Sequence, residues 1–171
     1  MNVFYRIALL FILINASAAA YAGAPVAIVN DDNDEEMAPA VKEKVTDLEN
    51  KDLQAFCNNW YGAKYQYGGC SRTGIDCSCF ARTLYKAVYG IELQRSSAIQ
   101  YKQTKRVKRI PQLEEGDLVF FRVHSMKINH VGVYIGDRKF IHATTASGVV
   151  VSSLDEPNYK REFYRAGTIL R

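Results

Sequence analysis

The strongest constraint on what this chain can fold into is a change of texture at Pro111. Before it, apolar residues recur at helical spacing. After it come five short stretches rich in Val, Ile, Phe and Tyr, at 118–123, 131–135, 139–144, 149–153 and 163–170, punctuated by Gly136-Asp137 and Ser147-Gly148. Such stretches between turn dipeptides read as strands of a meander. Helices that precede the strands, rather than alternating with them, point to an α+β domain. The helices are expected over a segment ending near Gly62 (Leu53, Phe56 and Trp60, with Val41, Val45 and Leu48 in imperfect phase before them), over 77–89 with Gly90 as its stop, and over 96–104 behind a Ser96 or Ser97 cap. With 171 residues and 48% hydrophobic positions, one sizeable core is available, which excludes a disordered chain and disfavours two full domains.

The first 22 residues read as an export signal. Arg6 precedes the apolar run from Ile7 to Ile14, and Ala20-Tyr21-Ala22 forms the small-residue pattern cut before Gly23. The apolar stretch is too short for a membrane anchor, and no cysteine precedes Cys57 to carry a lipid. Residues 23–50 hold eight acids against two lysines, including Asp31-Asp32-Asn33-Asp34-Glu35-Glu36, and read as a flexible acidic leader. Residues 51–171 form the folded domain, with 19 basic residues against 10 acidic ones. An exported basic body meets anionic polymers such as the cell wall, not nucleic acid. The candidates for that contact are Lys102, Lys105, Arg106, Lys108 and Arg109, which equally suit a solvated helix face.

Cys77 follows Asp76 at the start of the second helix, where unpaired N–H groups and the helix dipole favour a thiolate; Asp76 would cap that helix. A lone cysteine there is more often a small buried side chain. The histidines shift the balance. His130 begins one strand and His142 lies inside the next, and if Val133 and Lys139 are equally distant from the turn between them, the two imidazoles come level on one face. Cysteine, a histidine base and a second group orienting that base make up an acyl-transfer triad. His124, in the hydrophilic stretch 124–129, reads as a loop or rim residue. Zinc held by Cys77, Cys79, His130 and His142 is the competing arrangement, and the Cys-x-Cys spacing disfavours it.

Five ordered segments, Trp60 to Gly69, Gly74-Ile75-Asp76-Cys77-Ser78, Glu115 to Phe121, Asn129 to Gly136 and Phe140-Ile141-His142-Ala143, resemble the NlpC-type cell-wall cysteine peptidases, and in particular their compact murein endopeptidases. The resemblance runs from Leu53 to Arg171. It implies a papain-like α+β fold, with the nucleophile at a helix start packed on an antiparallel sheet of about five to six strands. It further implies Cys77 as nucleophile, His130 as base, His142 as the orienting member, Tyr65 beside the oxyanion, and Asp76 and Ser78 at the polar end of the substrate peptide. No metal or organic cofactor is called for. The partner would be peptidoglycan and the protein a secreted or periplasmic monomer without stable membrane insertion. Cys79 stands where the family usually has glycine, and Leu93-Gln94-Arg95-Ser96 lacks the family's proline. Cys57 and Cys70 flank the turn-rich segment 61–69 and are a candidate disulfide, although spacing leaves the connectivity of Cys57, Cys70 and Cys79 open. On the same scaffold, an antibacterial amidase effector, a transacylase, or a wall-binding module without catalysis are the alternatives.

Overall fold

The computed structural model describes residues 45–171, so the export signal and the leader up to residue 44 lie outside the described residues. The chain order is α1 (Lys51–Trp60), β1 (Cys70–Ser71), β2 (Gly74–Ile75), α2 (Cys77–Tyr89), α3 (Ser97–Gln103), β3 (Lys105–Val107), a 3-10 turn (Ile110–Gln112), β4 (Leu118–Phe121), β5 (His130–Tyr134), β6 (Lys139–Thr144), β7 (Gly148–Ser153), α4 (Pro157–Glu162) and β8 (Phe163–Thr168). The α+β expectation holds, with helices first and a six-stranded sheet ordered β3-β8-β4-β5-β6-β7 behind them. Every pairing in that sheet is antiparallel.

Sheet strand β4 is buried on both faces, which is why Leu118-Val119-Phe120-Phe121 is an unbroken apolar run rather than an alternating one. Leu118 and Phe120 join Val131, Val133, Ile141 and Ala143 against Phe80, Ala81 and Leu84 of α2. Val119 and Phe121 face the opposite side, with Tyr134, Phe140 and Tyr159 from α4. Sequence periodicity missed α4 and the short strands β1 to β3. Each has at most six residues, too few for a period to register.

Helix α1 begins at Lys51 because the Asn50 side chain accepts from the Leu53 N–H at 3.0 Å. Val45 and Leu48 are buried in the core but not helical. The last six residues of the acidic stretch therefore belong to the packed body. Helix α2 is capped by Asp76, whose side chain accepts from the Cys79 N–H, and ends on Gly90 in the left-handed region at φ 68°. Ser96 stands before α3 without a side-chain cap bond.

Candidate active site

Cys77 is the first residue of α2, beside unpaired N–H groups at the helix start. It is 8% exposed, and its Sγ lies 4.0 Å from the Asn129 carbonyl oxygen. The thiol also receives the Val131 N–H, so it sits against the backbone on either side of His130. Burial pushes the thiol up to about 11 despite those backbone donors. The imidazole of His130 turns to His142, with Nε2 and Nδ1 2.6 Å apart. The structure thus joins the two histidines to each other and places Cys77 at the His130 backbone; thiol and imidazole are not hydrogen-bonded to one another. Burial pulls His130 down to about 4 and His142 well below its ordinary value, with His130 as the lesser cause for the latter. Both imidazoles are therefore neutral at neutral pH.

The two histidines do share a face, but not by being level. Val133 pairs with Ile141 and Tyr134 with Phe140, so His142 falls opposite Gly132 and His130 lies two residues along. The turn absorbs residues 135–139, with Gly136, Asp137 and Arg138 all at positive φ, and is centred one residue later than the sequence symmetry suggested. A shift of two preserves the face, and the pair meets on the diagonal. Behind it, His142 Nε2 lies 3.2 Å from Ser152 Oγ, and its ring is edged by Phe140 and Tyr159 at 4.6 and 5.2 Å.

Asp76 and Ser78 are brought together with Arg95, whose role the sequence did not reveal. The guanidinium forms a two-pronged bond to Asp76, 2.8 and 2.6 Å, and also donates to Ser78 Oγ and to the Gly69 carbonyl. The single hydroxyl proton of Ser78 is shared between the Arg95 carbonyl at 2.8 Å and Asp76 Oδ1 at 2.9 Å. Burial alone would raise the Asp76 carboxyl, but bonds from Arg95, the Cys79 N–H and Ser78 outweigh it and hold the group below the usual range. Tyr65 is half-buried and bridges to Ile75. Burial raises its phenol, and Cys77 and Asp76 are near enough to raise it further.

The disulfide joins Cys70 to Cys79, with Cα atoms 5.4 Å apart; Cys57 is free and buried. The candidate Cys57–Cys70 pairing is therefore incorrect. Cys57 points from α1 into the core, whereas Cys79, in the first turn of α2, faces the hairpin β1–β2. With Cys79 oxidised, the four-residue zinc set is broken, and no metal-binding group of three or more His, Cys, Asp or Glu occurs among the described residues. His124 is an exposed loop residue, with a side chain 83% exposed.

A cysteine at a helix start beside a histidine pair on the adjoining sheet is the set of residue types that the resemblance to the NlpC-type peptidases implied. The NlpC/P60 family model matches residues 62–168, and the chain belongs to that family. It is 45% identical over 120 residues to a probable endopeptidase NlpC homolog of Haemophilus influenzae, covering 70% of this chain and 63% of that protein. It is 43% identical over 112 residues to murein DD-endopeptidase MepS/murein LD-carboxypeptidase of Escherichia coli K12, covering 66% and 58% respectively. This chain therefore spans about three fifths of the length of these relatives. An NlpC/P60 family protein of Bacillus cereus superposes with a TM-score of 0.64 at 33% identity, over 70% of this chain and 40% of that one.

Proposed function

We propose that the protein is a murein endopeptidase that cleaves amide bonds in peptidoglycan stem peptides or their cross-links, acting outside the cytoplasm. The observation that carries this reading is the His130–His142 pair at 2.6 Å, set beside a cysteine at a helix start. The two relatives above, at 45% and 43% identity, carry endopeptidase names. The basic excess of residues 51–171 suits an anionic wall polymer.

In this reading Cys77 is the nucleophile, His130 the base and His142 the residue that orients it. Burial disfavours an isolated thiolate and an isolated imidazolium alike, so the proton moves from Cys77 to His130 as the sulfur attacks and the two charges appear side by side. The S–C bond forms while N–H groups at the start of α2, with Tyr65 alongside, take the oxyanion. His130 then gives its proton to the leaving amine as the C–N bond breaks. Water, deprotonated by His130, hydrolyses the thioester and releases the acid. Asp76, Ser78 and Arg95 form the polar end that meets the substrate peptide.

Digestion of purified sacculi, with muropeptide masses read before and after, tests the reading. Wild-type protein should release peptide-cleaved fragments, whose masses identify the bond. Cys77→Ser should fold and release none, because a hydroxyl is far less acidic than a thiol. Muropeptides left uncut by wild type but retained on the protein would support the wall-binding module instead.

A further inference from the structure

We propose that the recess beside Tyr164 is a second substrate subsite, taking a free carboxylate of the stem peptide; this rests on the murein reading above. Phe163 of β8, Phe121 of β4 and His130 of β5 form one cross-strand row, which puts the start of β8 two strand spacings, about 10 Å, from the base. Arg122 follows Phe121. Its guanidinium lies over the Tyr164 ring, 3.6 Å from the centre, and the Arg165 guanidinium approaches the same ring at 4.8 Å. The backbone N–H of Arg122 is bound to the Glu162 carbonyl, but its Nε is buried and has no acceptor. A buried N–H donor without an acceptor is costly and rare.

Arg122 lines a recess of about 390 Å³ together with Arg161, His124, Ser125 and Glu162. Glu162 is the one acid of the recess; its side chain is 9% exposed and its Oε1 lies 3.6 Å from His124 Nε2. Cationic groups thus prevail. A guanidinium stacked on a ring keeps its N–H donors in the plane at its edge, the geometry that meets the two oxygens of a carboxylate.

The loop that begins at Arg122 ends at the thiol. The Asn129 side chain closes it by bonding both the N–H and the C=O of Val123 at 2.8 Å, and the Asn129 carbonyl is the one beside Cys77. On the other side of β5, Gly62 and Ala63 are hydrogen-bonded to Val149 of β7, which positions the segment carrying Tyr65. A peptide passing Tyr65 and Cys77 and continuing across the sheet end reaches Arg122.

The test uses the full chain with Cys77→Ala and calorimetric titration of the tetrapeptide L-Ala-γ-D-Glu-diaminopimelate-D-Ala and its carboxamide analogue. The free acid should bind about tenfold more tightly than the amide, the size of one charge-assisted two-pronged contact. Adding Arg122→Gln should erase that preference and leave the amide affinity unchanged, Arg122→Lys should restore part of it, and Lys86→Gln on α2 should leave the ratio as it was. Equal affinities for acid and amide in the parent, or a tenfold preference surviving Arg122→Gln, overturn the subsite. The parent ratio needs no change within the recess, so a misfolded Arg122 variant does not decide the matter. If wild type digests sacculi while the ratio is one, the subsite alone fails. If wild type releases nothing and neither peptide binds, the murein reading fails and the subsite with it.

Discussion

His142 has both ring nitrogens engaged, Nδ1 with His130 and Nε2 with Ser152. A neutral imidazole carries one N–H, so if Ser152 accepts from Nε2, His142 Nδ1 must accept from His130 Nε2 and the free lone pair of His130 is left on Nδ1. That tautomer is the one the proposed role of His130 as base requires, with Ser152 holding the far side of the pair. His130→Ala should abolish turnover, whereas His142→Asn, whose amide oxygen still accepts from His130, should retain about 1 to 10% of kcat/KM, the loss typical of a supporting contact. Equal and complete loss in both variants, with unchanged circular dichroism, would reverse the roles. Cys77, His130 and His142 were legible in the sequence because their residue types are chemically rare and their spacing fits a helix start and two strands. Ser152, Tyr159 and Arg95 were not, because a serine, a tyrosine and an arginine acquire meaning only from the partner that cross-strand register or a loop crossing brings to them.

At the scale of the element, the diagonal meeting of the histidines depends on Gly132. A Cβ built there would meet the Phe140 ring at 2.5 Å and the His142 Cβ at 3.3 Å. Phe140 is fully buried and cannot swing away. Gly132→Ala should cost roughly 1 to 3 kcal/mol in chemical denaturation, as overpacking does, and should lower kcat more than KM by displacing His142. The disulfide acts on a neighbouring element. Hairpin β1–β2 has two residues per strand and cannot stand alone in water. Cys70–Cys79, closing a separation of nine residues, ties it to α2. Cys70→Ser with Cys79→Ser should destabilise the protein by about 2.5 kcal/mol on loop entropy, seen as a lower midpoint in urea. An unchanged midpoint would mean that the hairpin is held by its other contacts, such as Arg95 to the Gly69 carbonyl at 3.2 Å. The strands after Pro111 were legible to within two residues at each end because β-branched and aromatic runs alternate with glycine turns. The disulfide partner was not, since connectivity is set by which way two side chains face.

Across the whole molecule, the neutral histidine pair makes stability depend on pH. In the unfolded chain both imidazoles take up a proton near pH 6.5. In the folded chain His130 does so near 4, and burial likewise holds His142 well below its ordinary value. Stability is therefore full above about pH 6.5 and falls as the pH drops toward 4, with a limiting slope of about 1.4 kcal/mol per pH unit for each histidine. Melting temperatures from pH 7.5 to 4.5 should follow that fall, and His130→Asn should flatten it; a flat wild-type profile would contradict the assignment. The exposed cations Lys102, Lys105, Arg106, Lys108 and Arg109 lie at the other end of the sheet, on α3, edge strand β3 and the loop beyond it. There they also guard an open edge against pairing with another chain. Finally, the placement of Cys79 two residues after Cys77 bears on how the protein must be matured and assayed. Oxidation that links Cys77 to either neighbour, instead of Cys70 to Cys79, gives an isomer of identical mass in which Cys77 is no longer a free thiol. Intact-mass analysis is blind to that error, so the active fraction of any preparation has to be counted by stoichiometric capture of Cys77 itself.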